Sequence, residues 1–371
     1  MQQPDIRVII SGGGTGGHIF PAIAIAGALK KINPANQFLF VGASGRMEME
    51  KVPAAGYQIE GLNISGIQRK LTLKNLLLPV KIIKSVLKAR SIIKNFKPDV
   101  AIGVGGYASG PLLYASTGMH IPSLIQEQNS YAGITNKILG KRVQKICVAY
   151  SGMEKFFPKE KIIMTGNPVR EEMTDIKGKR AAAMDFFGLD ATKKTVLVIG
   201  GSLGARTINE SIAESIQQFT QSGVQLIWQT GNAFAIKAEA VVNSVPNTGI
   251  RTFGFIQRMD YAYAAADIII SRAGASSVSE LSLVGKPVVL VPSPNVAEDH
   301  QTKNAMALVS QEAAVLISDS MARESLISKT FEILEDVELK KSLSTNISRL
   351  ALSDSAEKIA MEVYRLVKKN N

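Results

Sequence analysis

Four short stretches hold the residue types that could do chemistry. Gly12-Gly13-Gly14-Thr15-Gly16-Gly17-His18 runs from an apolar segment into a helical pattern, so its backbone N–H groups and the helix dipole make a ready anion site. The loop contains G-x-G-x-x-G, but a dinucleotide site also wants an acid at the end of the second strand. That strand ends Val41-Gly42-Ala43-Ser44, and the first acid is Glu48, which argues against NAD. His18 stands where a phosphate-binding loop of NTPases carries lysine. Gly103-Val104-Gly105-Gly106-Tyr107-Ala108-Ser109-Gly110 is a second loop in the same half. Two such loops converge at the carboxyl ends of parallel strands, and together they favour a diphosphate. Relief of a tight turn is the plain alternative for either loop alone.

The second half carries two more. Gly200-Gly201-Ser202-Leu203-Gly204-Ala205-Arg206 fits G-x-S-x-G, so it is either another anion loop or a nucleophile elbow with His300 as base and Asp260 or Asp267 as acid. Against the elbow, the sequence has no H-G-G-G oxyanion segment, and a hydrolase leaves the first half unexplained. Arg272 to Glu280 follows a strand and begins a helix. Ser277 and Glu280 have the S-x-x-E spacing of a capping box, while a carboxylate one turn into such a helix could also accept both hydroxyls of a nucleotide ribose. The two roles compete for one side chain.

These loops need strands and helices to place them. Apolar runs at Ile6–Ile10, Phe38–Val41, Val100–Val104, Pro122–Ile125 and Lys145–Ala149 alternate with helical patterns, and a second series follows at Thr195–Ile199, Gln225–Gln229, Arg251–Ile256, Asp267–Ser271 and Pro287–Val291. The grammar is βαβ, and it predicts an α/β protein of two doubly wound, Rossmann-like parallel-sheet domains. Asn167-Pro168 disfavours helix and suggests a hinge, so the expected domains are 1–165 and 166–371. The last helix, around Ala356 to Val367, is free to pack on either.

Composition narrows the partners. With 371 residues, 46% of them hydrophobic and 20% charged, the chain suits a globular protein of two or three domains, and no apolar run is long enough to cross a bilayer. The first residues lack the basic region and cleavage site of a secretory signal, so a cytoplasmic location is expected. Cys147 is the single cysteine and sits in an apolar run, where it fits a core. The net charge of +12 is uneven: residues 1–160 hold 20 basic side chains against 8 acidic, and the remainder 23 against 23. An anionic partner for the first half follows.

Taken as a set, Gly13 to His18, Gly105-Gly106-Tyr107, Glu127-Gln128-Asn129, Gly166 to Arg170, Gly200-Gly201-Ser202 and Ser271 to Glu280 resemble the MurG family of N-acetylglucosaminyltransferases. The motifs run in order from residue 12 to about 305. Leu203, Gln126 and His300 depart from the family's pattern. The resemblance implies the GT-B architecture, two Rossmann-like domains facing a cleft, and transfer of N-acetylglucosamine from UDP-N-acetylglucosamine to lipid I, with the undecaprenyl-diphosphate acceptor on the first domain and the donor mainly on the second. It places donor contacts on Thr15, Gly16, Gly17, Asn129, Arg170, Ser202, Ile256, Ala275, Ser276, Ser277, Val278, Ser279, Glu280 and Gln301. The glycine loops at Gly13, Gly14, Gly105, Gly106 and Tyr107 are left for the acceptor diphosphate.

No D-x-D occurs and there are three histidines, so neither a metal nor a cofactor is expected. Helix N-termini behind Ser202 and Ser276, with Arg170, could meet the charge of departing UDP, consistent with a direct inverting displacement. The attacking hydroxyl needs a base. His18 is the first candidate and Glu127 the second, and donation by His18 to the acceptor diphosphate is the competing role.

Between Gly61 and Pro98 there is no acid and there are nine basic residues. Ile82, Val86, Ala89, Ile93 and Phe96 repeat as an ordinary buried stripe. Leu71, Leu73 and Leu76 to Leu78 lie among the basic residues like an interfacial loop, so a peripheral site on the anionic inner face of a bacterial membrane is expected. Aromatics are only 6% and no nucleic-acid-binding motif accompanies the charge, so nucleic acid is not an expected partner. Two other functions stay open: a serine hydrolase built on Ser202, and a catalytically silent protein that binds nucleotide sugars or lipid diphosphates.

Overall fold

The computed structural model describes residues 3–64, 78–169, 175–201, 204–246 and 249–368. The chain divides into two compact units, Met1–Val169 with Asp354–Asn371, and Arg170–Ser353. The break falls just past Asn167-Pro168, and the last helix belongs with the first unit.

In the first unit β1 (Arg7–Ser11), β2 (Gln37–Ala43), β3 (Gln58–Leu62), β4 (Val100–Gly103), β5 (Ser123–Glu127), β6 (Lys145–Val148) and β7 (Ile162–Met164) form one sheet in the order β3-β2-β1-β4-β5-β6-β7, every pairing parallel. In the second, β8 (Thr195–Ile199), β9 (Gln225–Gln229), β10 (Ile250–Phe253), β11 (Ile268–Ser271), β12 (Val288–Leu290) and β13 (Val315–Leu316) are ordered β10-β9-β8-β11-β12-β13, again all parallel. That is the doubly wound order, with the first strand of each unit near the middle of its sheet. Central strands are apolar on both faces because helices cover both, and β8 (Thr-Val-Leu-Val-Ile) is buried throughout.

The elements that apolar runs do not announce are β3, β7 and β13, and each lies at a sheet edge. An edge strand covers less of the core, and β3 mixes Gln58, Glu60 and Gly61 with its apolar residues, half of it facing out. The Arg251–Ile256 run ends as a strand at Phe253, which leaves Ile256 in the loop beyond it.

The Leu78–Phe96 helix differs from its sequence reading. Ser85, Ala89, Ile92 and Ile93 face the core, whereas Val80, Ile82, Ile83 and Leu87 are exposed, Ile83 to 61% and Leu87 to 57%. Ile82 therefore leaves the expected buried stripe. Small Ser85 and Ala89 let this helix approach its neighbour closely, and the larger apolar side chains turn outward. The Leu71 to Leu77 segment lies outside the described residues.

Candidate active site

In the first unit the two glycine loops are tied together at the carboxyl end of the sheet. Gly13 N–H donates to Gly105 O (3.3 Å) and Val104 N–H to Ser11 O (2.7 Å). Gly106 holds a φ of +88°, and a Cβ there would lie 2.3 Å from Gly13 O, so any side chain would part the loops. Tyr107, next in sequence, is 47% exposed.

Not every N–H of the first loop is open to a phosphate. Gly13 donates to the second loop, and Gly14 N–H donates to Glu48 Oε2 (2.9 Å). The N–H groups of Gly13 and Gly14, two residues expected at the acceptor diphosphate, are thus engaged within the protein. The Gly16–Ile32 helix starts after an extended Thr15, and Thr15 O accepts from the N–H groups of His18 and Ile19. An α-helix leaves its first N–H groups without intrahelical partners, and here those are the groups of Gly16 and Gly17.

His18 lies between the loops. Its Nδ1 is 3.0 Å from Gly13 O and 3.4 Å from Thr15 Oγ1. A carbonyl oxygen only accepts, so the Gly13 contact requires Nδ1–H, and in the neutral imidazole Nε2 is then the acceptor nitrogen. Nε2 lies on the Gly105 side, where a Cβ at Gly105 would approach it to 2.8 Å. This is the protonation pattern a base needs.

Glu127, at the end of β5, is almost wholly buried. Its Oε1 accepts from Asn129 N–H (3.0 Å) and Asn129 Nδ2 (3.3 Å), and its Oε2 from Asn136 Nδ2 (2.9 Å) and Gly133 N–H (3.1 Å). Burial pushes its pKa up, against these four donors, which favour the ionised form. A carboxylate has about four acceptor positions, so this one is committed to its own loop. Glu127, the second base candidate, thus holds Asn129 and the Gly133 to Asn136 turn. Behind it, buried Gln126 and Gln128 bond each other, Gln126 Nε2 donates to Asn167 Oδ1 (2.8 Å), and Gln128 Nε2 donates to Val104 O (2.6 Å), bracing the second glycine loop.

In the second unit Arg170 and Ser202 lie outside the described residues. Gly204 N–H closes the loop after β8 onto Gly201 O (3.1 Å). Gln229, the last residue of β9, then bridges two predicted contact regions: its Nε2 donates to Gly201 O (3.2 Å), and its Oε1 accepts from Ile256 N–H (3.1 Å). Sequence reading missed Gln229, and its one signal is a polar residue ending a strand otherwise apolar along Leu226-Ile227-Trp228.

The Ala275–Val284 helix begins at Ala275 with Gly274 as its N-cap, so Ser277 is already inside it and forms no capping box. Glu280 is released from that duty. Its Oε2 accepts from Tyr263 OH (3.3 Å), which aims the carboxylate. Ala275, Ser276, Ser277, Val278 and Ser279 make up its first turns, with Ser279 Oγ returned to Ala275 O (3.2 Å). Gln301 lies in the first turn of the His300–Val309 helix, and its Oε1 accepts from Ser293 N–H (2.9 Å). Arg272, at the head of the Arg272 to Glu280 stretch, pins the strand ends by donating to Val291 O (3.0 Å), Pro292 O (3.1 Å) and Asp319.

The hydrolase reading loses its acids. Asp267 accepts from Arg180 (3.1 Å) and from Thr195 N–H (2.8 Å), at the start of β8 and about 13 Å of strand away from the Gly200 loop. Asp260 is gripped by Arg258 at 3.0 and 2.9 Å and by Lys179 at 3.4 Å, and the Arg258 guanidinium holds its carboxyl below the ordinary value.

Two units, each a parallel sheet with glycine loops at the carboxyl ends of its strands, have the architecture of a two-Rossmann glycosyltransferase. The glycosyltransferase family 28 N-terminal domain matches residues 8–148 and its C-terminal domain residues 195–359. A UDP-N-acetylglucosamine–N-acetylmuramyl-(pentapeptide) pyrophosphoryl-undecaprenol N-acetylglucosamine transferase of Phocaeicola vulgatus is 56% identical over 99% of this chain and 98% of its own. The protein of the same name from Parabacteroides distasonis is 56% identical over 98% of this chain and 99% of its own. Among solved structures, Acinetobacter baumannii MurG superposes with a TM-score of 0.79 at 28% identity, over 98% of this chain and 100% of that one. The chain belongs to the MurG family, within glycosyltransferase family 28.

Proposed function

We propose that this enzyme transfers N-acetylglucosamine from UDP-N-acetylglucosamine to the C4 hydroxyl of the muramoyl sugar of lipid I, forming lipid II for peptidoglycan. The observation that carries the reading is identity above half, over nearly the full chain, with relatives whose names state this donor and this acceptor. The acceptor oxygen attacks the anomeric carbon, its proton passes to His18 Nε2, and the bond to the UDP oxygen breaks on the opposite face, so the product is β-linked. Gly105, Gly106 and Tyr107 of the second loop face the acceptor diphosphate, and Thr15, Gly16, Gly17 and Asn129 face the donor. Glu280 takes the ribose hydroxyls, the Ile256 carbonyl takes the uracil N3–H because its own N–H is held by Gln229, and Gln301 lies by the sugar. Arg170, Ser202 and the start of the Ala275–Val284 helix meet the developing UDP charge without a metal, each helix end contributing about 0.3–1 kcal/mol where exposed and more where water is excluded.

Radiolabel transfer from UDP-N-acetylglucosamine to a lipid I analogue tests the reaction, with excess chelator in a parallel arm. Product should form at the same rate in both. Absence of product sinks the reaction, and loss in the chelator arm alone sinks the metal-free mechanism.

Among the described residues no helix is long and apolar enough to cross a membrane. The reading instead places the Leu78–Phe96 helix on an anionic bilayer. Exposed Val80, Ile83 and Leu87 recur at helical spacing beside Lys81, Lys84 and Lys88, and each basic side chain near such a surface adds about 1 kcal/mol. Replacing both Ile83 and Leu87 by aspartate should lower sedimentation with anionic vesicles about tenfold or more, since two apolar side chains are lost from the bilayer and two like charges are added. Wild-type binding that is equal on neutral and anionic vesicles would remove the electrostatic part.

A further inference from the structure

Glu48 is fully buried, yet among the described residues it has no cationic partner. Its charge is met by two backbone donors, Gly14 N–H on Oε2 (2.9 Å) and Ala43 N–H on Oε1 (3.0 Å). The space it fills is made by two glycines. A Cβ at Gly13 would lie 2.2 Å from Glu48 Oε1, and one at Gly42, in β2, would lie 2.6 Å from its Cγ.

The N–H that Glu48 accepts and the carbonyl that orients His18 belong to the same peptide unit, Gly13–Gly14. In a trans peptide the two point in opposite directions, so the carboxylate sits on one side of the unit and the imidazole on the other. A charged acceptor on the N–H polarises the amide and strengthens its carbonyl as an acceptor. That carbonyl holds His18 Nδ1–H at 3.0 Å.

We propose that Glu48 is a positioning residue that acts on His18 through the Gly13–Gly14 peptide, fixing the Nδ1–H tautomer and so keeping Nε2 the proton acceptor. The arrangement does what a carboxylate bonded directly to a catalytic histidine does, with one peptide unit interposed. Glu48 exchanges no proton in the step: the acceptor hydroxyl's O–H bond breaks as the Nε2–H bond forms on His18, and only His18 takes and releases the proton. The proposal rests on the base role given to His18 above, but its primary readout is independent of turnover.

Glu48→Gln is nearly isosteric, but it presents an NH2 group to one of two backbone donors and removes the charge. Long-range ¹H–¹⁵N spectra of the full chain labelled at histidine resolve three rings, assigned by replacing His120 and His300 in turn. In the parent protein His18 should be Nδ1–H, and in Glu48→Gln the Nε2–H form should gain population. The kcat should fall about 10- to 100-fold with the donor KM nearly unchanged, the loss seen when the partner that orients a functional imidazole is removed. Should Glu48→Gln fail to fold, Gly42→Ala displaces the same side chain from behind and is read in the same way. An unchanged tautomer in a folded variant overturns the proposal. A changed tautomer with normal turnover supports the relay and sinks the base role of His18, so the two failures are distinguishable.

Discussion

Replacing His18 by asparagine should lower kcat by about 10²–10⁴ while leaving the acceptor KM within about threefold, because a positioned base contributes that much to a proton transfer. Asparagine is the informative substitution. Its side-chain amide can still donate to Gly13 O, the contact that His18 Nδ1 makes at 3.0 Å, so the first loop keeps its tie, and the Gly13 N–H to Gly105 O link is untouched. What is lost is an acceptor nitrogen able to become cationic. Steady-state kinetics with varied lipid I analogue, together with acceptor binding measured without donor, separate the two roles. If binding weakens while turnover stays normal, His18 is a diphosphate donor and another group takes the proton. Glu127 is a poor replacement, since both of its oxygens are already engaged by Asn129, Gly133 and Asn136. The same kinetics on Glu127→Gln should therefore report misplacement of Asn129.

How much of this was legible in the sequence depends on the range of the interaction. The glycine loops could be read because each is a local signal, a strand followed by a tight turn and a helix start, and the repeated βαβ pattern placed both sheets except at three of their four edge strands. Even there the obstacle is physical. β3, β7 and β13 bury less than the central strands and so need fewer apolar residues. The Leu78–Phe96 helix shows the reverse error. Five apolar residues at helical spacing suggested one buried stripe, but the sequence holds more apolar residues than one face can bury, and the ones that lost were Val80, Ile82, Ile83 and Leu87.

Glu48 and Gln229 mark the other limit. Glu48 was visible only as an acid arriving too late to hold a ribose. Both of its partners precede it in sequence, Ala43 five residues before and Gly14 thirty-four before, and only the second places it beneath the loop. Gln229 is 28 residues from Gly201 and 27 from Ile256. Side chains that hold a site are chosen by three-dimensional neighbours, whereas backbone conformations that form it leave a local mark in the form of glycine. Thus the candidate contacts could be placed by motif, and the residues that orient them could not.

The second large effect concerns the chain's end. Replacing Tyr364 by alanine should destabilise the first unit by about 3–5 kcal/mol and leave the second unaltered. Residues Ser355–Lys368 form a helix whose Ile359, Ala360, Val363, Tyr364, Leu366 and Val367 are buried in one cluster with Ile6, Val8 and Ile10 of the first strand region and Ile25 and Leu29 of the Gly16–Ile32 helix. The Tyr364 hydroxyl accepts from Asn36 Nδ2 (2.7 Å), and burial raises its pKa. Asn36 Nδ2 also donates to Leu29 O (2.8 Å), and Asn36 Oδ1 accepts from Ile6 N–H (3.1 Å), so one side chain joins a helix end, a strand start and a residue 328 positions further along. Alanine removes a buried ring, leaves a cavity and takes away one Asn36 partner, while phenylalanine should cost only about 1 kcal/mol because the ring stays and Asn36 Nδ2 keeps Leu29 O. Two units need not unfold as one, so a single melting temperature would blur the result. Hydrogen exchange followed peptide by peptide resolves it: peptides from β1, β4 and the Gly16–Ile32 helix should lose about two to three and a half orders of magnitude of protection, and peptides from β8 and β11 none. Equal loss in both units would mean that the last helix supports the whole chain rather than the unit it packs on. No loss in either would mean that the first unit holds its core without it.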